Sequence, residues 1–314
     1  MYSAPTTIDP TTASGGDNYS AGLSSPKDNV IFRASTGTLV LIYQNGSAIV
    51  YKRSTNEGTI WDGTPTSIDT TSTNFFSGYM DSINHIHLAY RRSTTSIVYK
   101  KLSYSASPDT WTSTVTSTIT GTGVNYPSVT KENGSDRVWV AYYGGSDDIY
   151  VTYSDDGSIW STPNLIHSVN TRPSYPKIIA FGSKVGCFYR AWESGDSFRW
   201  RWRNNGDAPD SWQGETTIVS INPDLSDYSI VVTSNNYIWL LYNNSNKATI
   251  TYYDGGIWQT ASPAGDLSNG NSSDMSLVTD GLNLWAFWTV NNTTTNVYDT
   301  IGYKKYNGIS WSPA

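Results

Sequence analysis

Apolar positions along the chain come in short runs separated by polar turns, and no window of a dozen residues shows a 3.6-residue apolar spacing. The pattern predicts strands and almost no helix. One stretch shows the grammar well: a strand near Pro127 to Lys131, a second at Arg137-Val138-Trp139-Val140-Ala141-Tyr142, a third at Ile149-Tyr150-Val151-Thr152-Tyr153 and a fourth around Asn164-Leu165-Ile166. Tyr143-Gly144-Gly145-Ser146 joins the second and third as a hairpin expected to supply positive φ, and Ser154-Asp155-Asp156-Gly157 joins the third and fourth.

That unit recurs. Tryptophans preceded by a glycine or Pro-Asp turn stand at Trp61, Trp111, Trp160, Trp212, Trp258 and Trp311, spaced 50, 49, 52, 46 and 53 residues apart. The ends of apolar strands at Tyr43, Tyr90, Tyr142, Tyr189, Tyr242 and Trp288 keep steps of 47, 52, 47, 53 and 46. Pairing the units gives a steadier period of 99 or 100 residues, which points to duplication of a two-unit block and a pseudo-threefold arrangement. Six units of four strands predict an all-β, six-bladed β-propeller occupying residues 1–314 as one domain. Ala4-Pro5-Thr6-Thr7-Ile8-Asp9 resembles Thr64-Pro65-Thr66-Ser67-Ile68-Asp69, so residues 1–10 are expected to supply the closing strand of the last blade.

Composition narrows the functions. A net charge of -6 and a pI near 5.0 lack the basic face that nucleic acid requires. No run approaches the apolar length of a membrane span, and Met1-Tyr2-Ser3-Ala4-Pro5 shows no classical signal peptide. The single cysteine, Cys187, sits in an apolar strand and reads as a buried, inert thiol. His85-Ile86-His87 presents two imidazoles but no third ligand at metal spacing, and Asp147-Asp148 and Asp155-Asp156 lack a calcium loop, so neither metal nor cofactor is expected.

The turn before the tryptophans resembles the Asp-box, or BNR repeat, of sialidase-like propellers, Ser-x-Asp-x-Gly-x-x-Trp. Ser54-Thr55-Asn56-Glu57-Gly58-Thr59-Ile60-Trp61 fits with Asn for Asp, and Ser154-Asp155-Asp156-Gly157-Ser158-Ile159-Trp160 fits with one residue fewer. Size and unit count also resemble six-bladed propeller lectins. The sialidase resemblance implies an arginine triad, for which Arg33, Arg91 and Arg190 are the available residues, although Phe32-Arg33-Ala34 carries only half of the family's first-strand motif.

In propellers, ligands meet the loops that enter each first strand and the hairpins after each second strand. Reading those loops off the repeat gives Tyr79, Arg92, Tyr126, Tyr143, Arg172, Tyr175, Arg190, Trp192, Glu193, Asp227, Tyr228 and Asp274 as candidate ligand-binding residues. Aromatic faces pack against pyranose C–H groups while carboxylates and guanidinium groups bond hydroxyls. Each tyrosine alone also reads as a cap on a neighbouring blade. Phe198-Arg199-Trp200-Arg201-Trp202-Arg203 alternates an aromatic ladder with a basic face expected to be solvated. The expected function is a non-catalytic glycan-binding propeller, extracellular or surface-displayed, with a glycan or polysaccharide as partner. A sialidase-like exo-glycosidase and a structural component of a virion or cell-surface assembly are the alternatives.

Overall fold

A computed structural model describes residues 30–71, 75–168, 175–192, 196–221, 228–260, 264–268, 270, 272–292 and 297–312. The chain is all-β with six antiparallel sheets, the fold class of a six-bladed β-propeller. The sheets fall three each into two compact units, Met1–Ser168 and Val169–Ala314. Blade 1 is β1 (Ile31–Arg33), β2 (Leu39–Asn45), β3 (Ala48–Ser54) and β4 (Thr66–Asp69). Blade 2 is β5 (Phe76–Met80), β6 (Ile86–Ser93), β7 (Ser96–Ser105) and β8 (Thr110–Thr120). Blade 3 is β9 (Asn125–Lys131), β10 (Val138–Gly144), β11 (Asp148–Ser154) and β12 (Asn164–Ser168), the four strands expected there.

In the second unit, blade 4 is β13 (Lys177–Phe181), β14 (Lys184–Trp192), β15 (Asp196–Asn204) and β16 (Thr216–Ile221). Blade 5 is β17 (Tyr228–Val232), β18 (Ile238–Asn244) and β19 (Lys247–Tyr253), whose outer edge pairs with two short strands, β20 (Trp258–Gln259) and β21 (Gly265–Asp266). Blade 6 is β22 (Ser272–Thr279), β23 (Leu284–Asn292) and β24 (Val297–Tyr306). Among the described residues it has three strands, with Trp311 bridged to Tyr306 at the end of β24. The expected closing strand at 1–10 lies outside the described residues.

Second strands are covered on both faces, which explains their continuous apolar runs: Val138 to Tyr142 of β10 are all buried. The cores form where blades pack face to face. One joins Phe32, Val40 and Ile42 of blade 1 to Phe76, Leu88 and Tyr90 of blade 2, and another joins Ala89, Ile97 and Tyr99 of blade 2 to Val129, Val140 and Tyr142 of blade 3. Between blades 5 and 6, Trp239, Leu241 and Ile250 meet Met275, Leu277 and Ala286.

Each blade has an upper end, where the chain enters the first strand and the second strand turns into the third, and a lower end, with the other two turns. Four lower-end turns share one device. Asn56 Oδ1 accepts from Ile60 N, Asp156 Oδ1 from Ser158 N and Ile159 N, Asp254 Oδ1 from Gly256 N and Ile257 N, and Asn307 Oδ1 from Ile309 N and Ser310 N. A short Asx side chain closes the turn onto its own backbone. In blades 1 and 3 a serine adds a second brace, Ser54 Oγ accepting from Gly58 N and Ser154 Oγ from Gly157 N.

One local expectation is refined and one corrected. In the blade 3 hairpin the positive φ falls on Ser146 (70°), within the expected segment, and on Asp147 (63°), one residue beyond it. Gly144 is there for space, because a Cβ would sit 2.7 Å from the Tyr150 ring. The basic face of β15 is not solvated throughout: Arg203 is fully buried and donates from Nη2 to the Asp207 carbonyl, because the turn after Asn204 folds back over the strand end to pair Gln213 N with Trp202 O. Arg199 is held by Glu215 at 2.7 Å. Cys187 is buried, and burial pushes its thiol well above the usual range.

Candidate functional site

The upper ends of blades 2 and 3 bring together an aromatic cluster with charge at both margins. Phe75, just before β5, packs edge-on against Tyr126 of β9 with ring centroids 4.5 Å apart, and Tyr126 meets Tyr143 of β10 at 6.3 Å. The Arg91 guanidinium lies over the Phe75 ring at 5.8 Å and donates from Nη1 to Asn125 Oδ1 at 3.3 Å. At the other margin the Tyr143 hydroxyl donates to Asp147 Oδ1, and Tyr150 donates to Asp148 Oδ2 at 3.1 Å. Burial first, and then the hydrogen bond to its carboxylate, push the phenol of Tyr143 up, as they do for Tyr150, so both remain donors at neutral pH.

The backbone presents these rings by a defect in the ladder. The pairing of β9 with β10 shifts register between Ala141 and Tyr143, and Tyr126 adopts a φ of 47°. A bulge re-aims side chains in this way, here turning Tyr126 towards Phe75. The five residues Phe75, Arg91, Asn125, Tyr126 and Tyr143 are half-buried, a surface neither sealed nor fully solvated.

Arg92, one residue beyond Arg91, faces the opposite way. It donates from Nη2 to Asp69 Oδ2 of blade 1 at 2.6 Å, beside Tyr90 Oη at 2.5 Å and Lys100 Nζ at 3.1 Å. Thr71 adds its backbone N–H and hydroxyl to Oδ1. Burial opposes ionisation of Asp69, but these donors outweigh it and hold the carboxyl far below the usual range.

The other candidate residues are dispersed. Tyr79 is not at an upper end: it pairs with His87 one residue from the lower end of β5, because the strand begins three residues earlier, at Phe76. Tyr175 and Tyr228 are buried, the Tyr228 hydroxyl donating to the Tyr175 carbonyl and its ring 4.8 Å from Phe198, so they cap blades and present no surface to a ligand. Arg190 is half-buried on β14, and Trp192 ends that strand, where the backbone alone is described. Asp274 is exposed with a φ of 49° and accepts from Thr289 Oγ1 at 3.0 Å. Arg172, Glu193 and Asp227 lie outside the described residues.

Phe75, Asn125 and Asp147 were not selectable from sequence as members of one cluster; Arg91 was visible as a strand-ending arginine. Arg33 lies at the lower end of blade 1, on a cavity of about 440 Å³ shared with Ser35, Met80, Asp81 and Asn84, whereas Arg91 lies at the upper end of blade 2. Five residue steps along β6 separate Arg91 from Ile86 at the lower end, roughly 17 Å of β-strand, so Arg33 and Arg91 do not converge.

The histidines are engaged by protein groups. His85 Nδ1 accepts from Tyr104 N, and buried His87 bridges Tyr99 Oη at 2.7 Å and Asp81 Oδ2 at 3.3 Å. Burial lowers the His87 pKa more than Asp81 raises it, leaving a neutral ring. For Asp81 burial is again outweighed, by bonds from His87 and from the backbone N–H groups of His85 and Ile83, and its carboxyl is lowered to about 2. Below pH ~6.5 the unfolded chain protonates its histidine while folded His87 resists, and below pH ~4 it protonates the aspartate while folded Asp81 stays ionised; both make stability fall with acidification. The Asp81 contribution is present above pH ~4 and lost as pH falls through about 2, and a difference near two pH units corresponds to about 2–3 kcal/mol. Urea midpoints measured from pH 7 to pH 2 should fall more shallowly below pH 4 in Asp81→Asn than in the parent; parallel curves would remove Asp81 from the account.

No protein-family model matches the sequence, and no curated protein does. Solved structures do. The chain is similar to the BP39L lectin from Burkholderia pseudomallei, with a TM-score of 0.67 at 12% identity over 93% of this chain and 85% of that one. It is similar to an ulvan lyase of polysaccharide lyase family PL25, with a TM-score of 0.62 at 11% identity over 93% and 83%. An α-L-arabinofuranosidase from Fusarium graminearum in complex with an iminosugar inhibitor gives a TM-score of 0.59 at 12% identity over 88% and 91%. At these identities the likeness shows the six-bladed propeller fold, shared with a lectin and with carbohydrate-active enzymes.

Proposed function

We propose that this chain is a carbohydrate-binding propeller that acts without catalysis, extracellularly or on a surface, and that the cluster between blades 2 and 3 is its glycan site. The observation that carries the reading is the Phe75–Tyr126–Tyr143 cluster with Arg91 at one margin and Asp147 at the other. Half-exposed rings offer faces to the C–H groups of a pyranose, while a guanidinium and a carboxylate bond its hydroxyls from two sides. The lectin among the structural neighbours supports the ligand class. The separation of Arg33 from Arg91 speaks against a convergent arginine triad, and the site carboxylates are each occupied by a tyrosine hydroxyl. The four Asx turns are the part of the Asp-box resemblance that the geometry supports, and we read them as degenerate forms of it.

A broad glycan array, read with and without prior incubation, tests this. Specific signals that survive incubation are expected, and Tyr126→Ala should weaken them about tenfold, the scale of one aromatic contact. Signals that vanish with release of free sugar would replace the reading with a glycosidase. A blank array would overturn it.

A further inference from the structure

Blade 5 carries a second aromatic arrangement, at its lower end, that shares no residue with the first. The Trp239 and Tyr252 rings stack at 4.5 Å with an interplanar angle of 24°, and Tyr252 stacks on Tyr237 at 5.9 Å and 15°. The inner end of this ladder is closed: Trp239 is 2% exposed and meets Tyr306 at 5.1 Å and Trp311 at 6.3 Å. The outer end is Tyr237, half-buried, with Tyr252 as its one ring neighbour among the described residues. The ladder of near-parallel rings therefore ends in a partly exposed ring.

The turn that places Tyr237 supplies polar chemistry. Ser234, Asn235 and Asn236 are exposed. Asn235 Oδ1 accepts from Thr233 Oγ1 at 2.6 Å and from Tyr237 N at 3.4 Å, and Asn236 Oδ1 accepts from Gly182 N at 2.9 Å. With both amide oxygens taken, what the two side chains have left to offer is their NH₂ donors. Within blade 5 the single cation, Lys247, lies at the upper end and is held by Asp266 at 2.8 Å. The lower-end carboxylate of Asp254 accepts from Gly256 N, Ile257 N and Gln259 Nε2.

We propose that Tyr237 is a second glycan platform, taking a neutral pyranosyl residue whose apolar face extends the ring ladder and whose hydroxyl oxygens accept from Asn235 and Asn236. An aromatic face flanked by amide donors, with no cation in its own blade end, fits an uncharged sugar rather than a uronic or sulfated one. The proposal shares its ligand class with the blade 2–3 site and none of its residues.

The test is the same array probed with the parent protein, Tyr237→Ala, Tyr237→Phe, Asn235→Asp and Tyr126→Ala. At least one neutral glycan still bound by Tyr126→Ala should lose about tenfold in apparent affinity in Tyr237→Ala and keep it in Tyr237→Phe, since stacking needs the ring and not the hydroxyl. Asn235→Asp, an exposed change that keeps the acceptor oxygen, should weaken the same glycan and covers the case in which Tyr237→Ala melts early. If every signal depends on Tyr126 and none on Tyr237 or Asn235, the second platform is overturned and the first stands. Signals confined to anionic glycans, or a parent that binds nothing, overturn it as well.

Discussion

Asp69→Ala is expected to destabilise the protein by about 3–5 kcal/mol, the cost of breaking a buried ion pair from one side. Asp69 is 9% exposed, and its carboxylate gathers donors from two blades: Thr71 from its own turn, and Tyr90, Arg92 and Lys100 from blade 2. Removing it leaves Lys100, whose side chain is 12% exposed, facing a partner that no longer exists, and strands the Tyr90 hydroxyl in an apolar core. Asp69→Asn keeps one acceptor oxygen and should recover part of the loss. Thermal melts of the three proteins at pH 7 decide the matter, with Asp69→Ala lowest; a melt within about 2 °C of the parent would show that solvent replaces the lost contacts. Because the folded carboxyl is held below its unfolded value, this contribution is present above the unfolded pKa and disappears only in strong acid.

The second large effect is expected in the other unit. Trp200→Ala should cost about 3–5 kcal/mol, the range for truncating a buried aromatic to alanine. Trp200 is 2% exposed and stacks on Phe188 at 5.2 Å, with Tyr253 at 4.9 Å, Trp258 at 5.5 Å and Phe181 at 5.9 Å around it. These rings come from blades 4 and 5, so one side chain joins the two sheets. The neighbourhood is built to its shape: a Cβ on Gly186 would lie 3.4 Å from Trp200 Cε3 and 3.2 Å from both Phe181 and Phe188. Trp200→Phe should retain more than half of the lost stability. A urea midpoint for Trp200→Ala equal to that of the parent would mean that the surrounding rings collapse into the space.

The blades were legible in the sequence because two markers, the turn tryptophan and the strand-ending aromatic, keep the same count, and because second strands must be apolar on both faces. The site was legible only in part. Tyr126 and Tyr143 stand at strand ends that the repeat locates, but the bulge at Ala141 that lets Tyr126 meet Phe75 and Tyr143 leaves no mark in residue type. Arg91 and Arg92 are chemically identical, and which one turns to blade 3 depends on strand parity set by buried Tyr90. Tyr175 and Tyr228 share residue type and loop position with Tyr126, yet burial by Phe198 and its neighbours makes them structural. The Tyr237 ladder was missed because Tyr252 of β19 comes against Trp239 of β18 and Tyr237 of the turn before it only when the hairpin pairs.

The Asx turns carry a consequence for how such a chain drifts over time. Where one short side chain fixes a turn through bonds to the main chain and a glycine takes the positive φ, the isoleucine that follows has no packing duty, as exposed Ile60, Ile159, Ile257 and Ile309 illustrate. Such turn positions can be overwritten while the anchors stay, and likeness in shape is found where letter-by-letter comparison finds no family.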